Sequence, residues 1–399
     1  MWENQININD VCEIRAKSTV YLGVGAIKKI GDICSTLKSK GISKIAVITG
    51  KSSYAKSGAW DYTIRAFEEN NIEYMLYTEI TPNPTVDQVD TATKMAVEFG
   101  AQAVLAIGGG SPIDAGKSVA ILMEYTDKSA RDLYEYKFTP DKAVPIVTIN
   151  LTHGTGTEVD RFAVVSIPEK EYKPAIAYDC IYPLYSIDDP ALMTSLPAEQ
   201  TVYVSVDALN HVIEAATTTV ATPFSILLAQ ETVRLVAKYL PIAISNPEDL
   251  TARYYLLYAS LIAGVSFDNG MLHYTHALEH PLSAVKPDLA HGLGLALIVP
   301  AVVKQIYPVS SKVLADILSP IVSGLNGSPE EGDKAFSGLK DWLSKMGIKP
   351  GLKNIGFSES DVEKLTELSF NTPSLGMLLG LAPVEANMES VKAIYMNSL

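Results

Sequence analysis

The sequence predicts an α/β protein whose first half holds a parallel sheet and whose second half is all-α. Short, continuously apolar segments alternate with helical patterns from residue 18 to about residue 190. Strands that are apolar on both faces are typical of a parallel sheet covered by helices. After Pro190 the segments are rich in Ala and Leu at helical spacing, with few β-branched runs. We therefore predict two domains, 1–189 and 190–399.

The first half contains four segments that predict strands and two that predict helices. The strand candidates are short and rich in β-branched and other apolar residues, as in KIAVIT and AVLAI. The helix candidates carry apolar residues at helical spacing. In chain order, the elements are the strand at 44–49, the helix at 55–71, the strand at 72–77, the helix at 84–100, and the strands at 103–107 and 144–149.

The second half predicts successive helices at 199–217, 223–239, 250–264 and 270–282, then an apolar stretch from Gly292 and further helices to Leu399. The longest apolar run, at 292–303, is interrupted by Pro300. This run is too short to span a bilayer, so we expect no association with a membrane.

Composition and charge exclude several classes of protein. The 399 residues are 47% hydrophobic and 19% charged, which is enough apolar material for packed cores and excludes a disordered chain. Lys plus Arg number 32 against 45 for Asp plus Glu, a net charge of −13. A protein this acidic repels phosphate backbones, so nucleic acid is not an expected partner.

Three cysteines, Cys12, Cys34 and Cys180, are widely spaced and form no CxxC pair. Their number and spacing exclude a disulfide framework and a thiolate metal site, and they suit free thiols in a reducing compartment. Residues 1–17 have neither a basic start nor a continuous apolar stretch, so we expect no secretory signal. The sequence therefore predicts a cytoplasmic protein.

A glycine-rich turn, GGGSPIDAGKS at 108–118, follows the strand at 103–107. A helix can begin at Pro112, because proline is favoured in the first turn. Glycines let the backbone approach an anion, and the free N–H groups at a helix start attract it. The alternative is a tight turn that needs glycine only for its backbone angles. Three glycines together with Ser111 favour phosphate binding.

The turn matches neither standard nucleotide-binding motif. A Walker A loop that ends with GKS at 116–118 would have to begin at Ser111, where that motif requires glycine. The dinucleotide fingerprint GxGxxG starts well at 23–25, but Lys28 stands at the third glycine position.

Five of the six histidines lie in the second half. Asp207 and His211 are spaced i, i+4, and so are His276 and His280, which places each pair on one helix face. Two such helices can form a site for a divalent metal. Three imidazoles and one carboxylate, without thiolates, suit Fe(II) or Zn(II) with an open coordination position.

Each part of this pattern has an alternative. Asp207 and His211 could form an ordinary pair on an exposed helix surface. His291, taken alone, could be a hydrogen-bonded loop residue. For the pocket that would hold the substrate, we expect walls that include Phe162, Phe267, Leu272 and His273.

Taken in order, these segments resemble the iron-containing (group III) alcohol dehydrogenases. The resemblance runs from about Tyr21 to at least Pro300. It rests on TPNPT at 81–85, GGGSPIDAGK at 108–117, GTGTE at 154–158, DDP at 188–190, DALNH at 207–211, HALEHPL at 276–282 and HG at 291–292. Two departures stand out: the segment between His280 and His291 is one residue longer than the family pattern, and NLTH at 150–153 replaces the usual PTTA.

The resemblance implies a dehydroquinate synthase-like architecture, an Fe²⁺ site in which Zn²⁺ is possible, a nicotinamide cofactor and a homodimer. The implied metal ligands are Asp207, His211, His276 and His291, and His280 is implied in proton transfer near the metal. The implied cofactor contacts are Gly50, Lys51, Ser52, Asn83, Gly108, Gly109, Gly110, Ser111, Asp114, Thr152, Thr155 and Lys173. Of these, Asp114 and Thr152 would lie toward the nicotinamide and Lys173 near the nucleotide.

NAD-preferring relatives commonly carry an Asp after the first strand of the nucleotide domain, which repels a 2′-phosphate. That position is Gly50 here, followed by Lys51 and Ser52. With a cation and a hydroxyl nearby and no carboxylate, we predict NADP(H) as the preferred cofactor, with NAD(H) possible.

The resemblance therefore implies a metal-dependent alcohol dehydrogenase that transfers hydride reversibly between a primary alcohol or aldehyde and NADP(H). The alternatives are a dehydroquinate synthase-like or glycerol dehydrogenase-like metal enzyme, and a non-catalytic metal- or nucleotide-binding protein on the same scaffold.

Overall fold

The computed structural model describes Trp2 and residues 13–399. In this part of the chain a six-stranded parallel sheet with surrounding helices is followed by a half built of helices. The predicted fold class is thereby confirmed. Cys34 and Cys180 are free thiols, and Cys12 lies outside the described residues.

The sheet has the spatial order β1-β8-β5-β4-β2-β3, and every neighbouring pair of strands is parallel. A short antiparallel pair, β6 and β7, lies beside it. The strands are β1 (Thr19–Leu22), β2 (Lys44–Gly50), β3 (Glu73–Ile80), β4 (Ala103–Gly108), β5 (Ile146–Asn150), β6 (Phe162–Val164), β7 (Ala175–Ala177) and β8 (Tyr185–Asp188). Because the strands of the sheet are parallel, their carboxyl ends share one edge, where ligands bind in such folds.

Helices of the first half cover the sheet, and those of the second half pack on one another. The first half contains α1 (Lys29–Ser39), α2 (Ser53–Lys56), α3 (Ala59–Glu69), α4 (Val86–Phe99), α5 (Gly110–Leu122) and α6 (Ala130–Tyr134). The second half contains α7 (Ala198–Ala215), α8 (Pro223–Ser245), α9 (Leu250–Gly270), α10 (Tyr274–Val285), α11 (His291–Leu318), α12 (Gly332–Lys345), α13 (Val362–Asn371), α14 (Leu375–Gly380) and α15 (Met388–Asn397).

Alternate residues of β2 enter two different cores, one on each face of the sheet. Ile45 and Val47 belong to the core beneath α1 and α3, whereas Ala46 and Ile48 belong to the core beneath α4 and α5. The helical half has a third core of its own. The predicted boundary between residues 189 and 190 stays a prediction, and the separation of these cores supports it.

The predicted elements are present, but several boundaries differ for reasons of backbone geometry. The helix expected at 55–71 is divided, because Gly58 has a φ of 81° between α2 and α3. The helix expected at 270–282 begins only at Tyr274, because Met271 has a φ of 62°. The strands missed by the sequence analysis are three or four residues long, too short for a recognisable pattern.

The apolar run at 292–303 lies within a single long helix. Helix α11 continues through Pro300 and Pro308 for 28 residues, with a non-helical residue at Ser310. In the described residues it is the one helix long and apolar enough to cross a membrane, yet 72% of its most apolar window is buried inside the protein. That burial is typical of a core helix.

Candidate active site

A cavity of about 620 Å³ lies at the carboxyl edge of the sheet, between the first half and the helices of the second. The first half contributes the ends of β2, β3 and β4 and the loop after β5, and the second half contributes α7, α10 and the start of α11. Most of the predicted cofactor contacts line this cavity, namely Gly50, Lys51, Ser52, Asn83, Gly109, Gly110, Ser111, Asp114, Thr152, Thr155 and Lys173.

The glycine turn between β4 and α5 fits closely against the loop after β5. A Cβ on Gly109 would lie 2.7 Å from Thr152 Cγ2, and one on Gly110 would lie 2.8 Å from Thr155 Cγ2. Gly108, with a φ of 156°, lies behind the turn and is not among the residues that line the cavity. The start of α5 therefore faces the cavity without side chains at Gly109 and Gly110, which suits a phosphate group.

Lys117 and Asp114, both on α5, bind the segment at 157–164 beneath the cavity. The buried Lys117 ammonium donates to Thr157 Oγ1 at 2.9 Å, to Asp160 Oδ1 at 2.8 Å and to two carbonyl oxygens. With these partners it serves the structure rather than a phosphate, in agreement with the failed Walker A match. Asp114 accepts from Thr157 Oγ1 and from the backbone N–H of Val164, and burial raises its pKa to about 6.

The four predicted metal ligands converge. Asp207 and His211 lie one turn apart on α7, His276 lies on α10, and His291 is the first residue of α11. The Nε2 atoms of His211, His276 and His291 lie 3.6, 3.6 and 3.9 Å from Asp207 Oδ1. The alternative of an exposed Asp207–His211 pair is excluded, because both side chains are buried.

This cluster has the features of a cation site. Among the residues that the structure describes, Asp207 Oδ1 and His276 Nε2 are buried without a hydrogen-bond partner, which is costly unless another group binds them. Burial alone would raise the pKa of Asp207, but the histidines, His211 foremost, hold it below its usual range. One carboxylate and three imidazoles fit Fe²⁺ or Zn²⁺.

Each of the three imidazoles has a partner for its other ring nitrogen. His211 Nδ1 lies 3.2 Å from the carbonyl oxygen of Gly154. His276 Nδ1 contacts Glu214 Oε2, and His291 Nδ1 contacts Glu279 Oε2. These contacts leave the Nε2 atoms to face Asp207.

Neither Glu214 nor Glu279 was assigned a role from the sequence. Glu214 also accepts three backbone N–H groups at the start of α10, those of His273, Thr275 and His276. For Glu214 the signal was available, since it follows His211 by three residues on the same helix.

Glu279, His280 and His291 form a second group whose ligand atoms lie close enough to hold an ion. In this group Glu279 Oε2 and His291 Nδ1 contact each other directly, which leaves no space for an ion between them. The group that contains Asp207 is therefore the better metal site.

His280 lines the cavity beside the cluster, and its ring centroid lies 5.7 Å from that of His291. Its Nδ1 lies 2.8 Å from the carbonyl oxygen of Lys173, so Nδ1 carries the proton and Nε2 is free to accept one. Burial, with the nearby Lys173 ammonium, holds the pKa of His280 well below its usual range.

One histidine, His273, does not lie where it was expected. His273, predicted in the pocket, is buried at the start of α10, where Nδ1 accepts the N–H of Tyr274 and Nε2 lies 2.9 Å from Thr217 Oγ1. That prediction is wrong, whereas Phe162, Phe267 and Leu272 do line the cavity. His153, in the loop after β5, is buried against Ser205 and Arg253.

Lys173 and Asn83, two of the predicted cofactor contacts, also contact other residues of the protein. The Lys173 ammonium lies 3.4 Å from Glu279 Oε2 and 3.3 Å from His291 Nδ1, beside the ligand cluster. The Asn83 amide donates across the cleft to the carbonyl oxygens of Pro287 and Leu289.

Two family models match the chain: iron-containing alcohol dehydrogenase over residues 17–190, and the C-terminal model of the Fe-containing alcohol dehydrogenase family over 201–399. The chain is 60% identical over 398 residues, 100% of both chains, to long-chain primary alcohol dehydrogenase AdhA of Thermoanaerobacter ethanolicus. The solved structure of the archaeal Red Sea brine pool alcohol dehydrogenase ADH/D1 is similar with a TM-score of 0.90 at 28% identity, covering 99% of this chain and 100% of that one. NADH-dependent butanol dehydrogenase A of Thermotoga maritima is similar with a TM-score of 0.88 at 28% identity over 98% of both chains.

Proposed function

The chain belongs to the iron-containing alcohol dehydrogenase family, and we propose that it interconverts long-chain primary alcohols and their aldehydes with NADP(H) as cofactor. The observation that carries this proposal is the convergence of Asp207 and three imidazoles in the cavity that also holds the glycine turn. Membership of this family argues against two of the alternatives, a dehydroquinate synthase-like lyase and a non-catalytic protein on the same scaffold.

The chain length of the substrate is proposed from the cavity walls and from the name of the relative with 60% identity. Apolar side chains line much of the cavity, among them Phe162, Phe267, Leu272, Met377 and Leu378. An alkyl chain would gain about 0.8 kcal/mol for each methylene that it buries there.

When bound, a ferrous ion held by Asp207, His211, His276 and His291 would supply Lewis acidity toward the substrate oxygen, and the nicotinamide would supply the hydride chemistry. The protein's own residues do the rest. His280 accepts the alcohol proton at Nε2, because its Nδ1–H is committed to the carbonyl oxygen of Lys173. The backbone at Gly109 and Gly110 binds the pyrophosphate, and Phe162 and Phe267 exclude water from the reacting carbon.

The proposed reaction is tested by following NADPH oxidation with straight-chain aldehydes of increasing length, in protein loaded anaerobically with Fe²⁺. We expect kcat/KM to rise with chain length. The variant His276→Ala should lose both iron and turnover, since it removes a buried ligand. Equal rates for short and long aldehydes would contradict the substrate class, and a His276→Ala protein with full iron content and turnover would contradict the site.

The preference for NADP(H) is proposed from the end of β2, where Gly50, Lys51 and Ser52 line the cavity without a carboxylate among them. The variant Lys51→Glu places a negative charge there and should raise KM for NADPH roughly tenfold while KM for NADH changes little. Lys56→Glu, with the same charge change at an exposed residue outside the cavity, is the control. A wild-type preference for NADH would contradict this proposal.

A cytoplasmic location and a homodimer remain part of the proposal. The free thiols of Cys34 and Cys180 support a reducing compartment. Light scattering of the purified protein would decide between a monomer and a dimer.

A further inference from the structure

Glu279 on α10 is a fully buried carboxylate that does not line the cavity. Its Oε2 contacts His291 Nδ1 and lies 3.4 Å from the Lys173 ammonium, and its Oε1 accepts from Ser283 Oγ. The three side chains that contact the carboxylate are thus all polar, with His291 and Lys173 at Oε2 and Ser283 at Oε1. Because burying a charged carboxylate is costly unless it is paired, these polar contacts rather than apolar packing account for Glu279 at this position.

The facing helix makes room for this side chain. A Cβ on Gly294 of α11 would lie 2.8 Å from both Cγ and Oε1 of Glu279. Gly294 follows His291 by three residues, so the carboxylate lies against the first turn of α11, the turn that begins with His291.

His291 depends on this contact more than the other imidazoles depend on theirs. It is the most exposed of the three, with 26% of its side chain accessible, and it stands at the very start of α11. His211 and His276 lie inside helices and are packed ring to ring at 4.6 Å. Without an acceptor at Nδ1, the ring of His291 could rotate or carry its proton on Nε2, the atom that faces Asp207.

We propose that Glu279 is a positioning residue for the metal: it accepts the Nδ1–H of His291, holds Nε2 toward Asp207, and thereby sets the affinity of the site for a divalent cation. The inference rests on the proposed metal-dependent function. Lys173 completes the arrangement, because its ammonium and a divalent ion together balance the carboxylates of Asp207, Glu214 and Glu279. Lys173 thus links the loop before β7 to the metal cluster.

The proposal is tested with Co²⁺, whose visible absorption reports ligand geometry, in metal-free protein titrated against a chelator. The variant Glu279→Ala should weaken Co²⁺ binding about 10- to 100-fold and alter the absorption spectrum. Glu279→Gln keeps the shape and an oxygen that accepts the Nδ1–H, so it should bind Co²⁺ more tightly than Glu279→Ala and keep the wild-type spectrum. Ser283→Ala, which removes a hydroxyl from the same carboxylate without touching His291, is the matched control and should bind as wild type does.

Far-ultraviolet circular dichroism reports whether each variant is folded, and this spectrum should not change. Wild-type affinity and spectrum in Glu279→Ala would overturn the proposal, and so would a Glu279→Gln protein that binds Co²⁺ no better than Glu279→Ala. If Glu279→Ala does not fold, the spectrum of the isosteric Glu279→Gln decides, since any departure from wild type overturns the inference. Failure of the wild-type protein to bind Co²⁺ or to reduce aldehydes would instead refute the proposed function.

Discussion

At the scale of single residues, the six histidines differ through their surroundings rather than through their chemistry. The imidazoles of His211, His276 and His291 converge on one carboxylate, and His280 turns a free nitrogen toward the cavity. His153 has a different environment. It is fully buried, with Nε2 3.1 Å from an Arg253 guanidinium nitrogen and Nδ1 3.3 Å from Ser205 Oγ. Arg253 forms no ion pair with a carboxylate in the described part of the chain, and its guanidinium donates to Nε2, so His153 is held neutral.

This neutral His153 should make stability depend on pH. Burial, with the Arg253 charge, lowers its pKa from 6.5 to about 3. Between those values the unfolded chain binds a proton that the folded protein does not, so the free energy of unfolding falls as the pH falls through 6.5 and levels off near 3. The variant His153→Gln should reduce this slope by up to about 1.4 kcal/mol per pH unit.

The measurement is urea unfolding of metal-free wild-type protein and His153→Gln at several pH values from 4 to 7. Because the comparison is between slopes, a uniform loss of stability in the variant does not affect it. Parallel curves for the two proteins would show that His153 is not held neutral in the fold.

At the scale of elements, close backbone contacts place the loop after β5 against the helical half. Gly156, with a φ of 65°, meets Gly264 in the middle of α9, and a Cβ on Gly264 would lie 2.7 Å from the Gly156 carbonyl oxygen. A Cβ on Gly154 would lie 2.3 Å from the Val204 carbonyl oxygen on α7. These contacts keep the Gly154 carbonyl at His211 and Thr155 at the cavity.

The variant Gly264→Ala should therefore lower the free energy of unfolding by about 1–3 kcal/mol, because backbone atoms cannot move aside as a side chain can. It should also weaken NADPH binding, since the displaced loop carries Thr155. The control is Gly31→Ala in α1, where a Cβ would meet nothing within 4 Å. There alanine should be neutral or stabilising, by up to about 1 kcal/mol. Thermal unfolding checks both, and equal midpoints would contradict the close-contact argument.

At the scale of the whole molecule, the site exists only where the halves meet. The cavity takes its glycine turn from the first half and its ligand cluster from α7, α10 and α11. In the proposed function, metal and cofactor would therefore bind to largely separate parts of the protein. Each should stabilise the folded chain by mass action.

Zn²⁺ at about 100 times its Kd should add about 2.7 kcal/mol to the stability of the wild-type protein, a rise of roughly 3 °C in the unfolding midpoint for a chain of this length. The variant Asp207→Ala should lose this rise, because the imidazoles then lack their shared carboxylate, yet it should keep the rise caused by NADPH. Scanning calorimetry of both proteins with each ligand tests this. A Zn²⁺ effect of the same size in Asp207→Ala would mean that the metal binds elsewhere.

The sequence by itself determined the features that depend on residues near one another along the chain, namely the longer strands and helices and the local motifs. Apolar runs predicted strands such as β2 and β4, the glycine turn predicted a phosphate site, and i, i+4 spacing predicted that Asp207 and His211 share a helix face. The resemblance read from those local motifs is confirmed by the family models. Short strands and the break at Gly58 were missed, because three or four residues carry no periodicity and a positive φ at glycine depends on packing.

The tertiary structure decided which atoms meet. Glu214 reaches His276 across 62 positions and Lys173 reaches Glu279 across 106, and nothing in local spacing specifies such pairs. His273, so close to the ligands in sequence, is turned into the core because Glu214 and Thr217 bind it there. Local patterns place a side chain on the face of one element, whereas the direction of an imidazole nitrogen is set by whichever acceptor the fold brings to it.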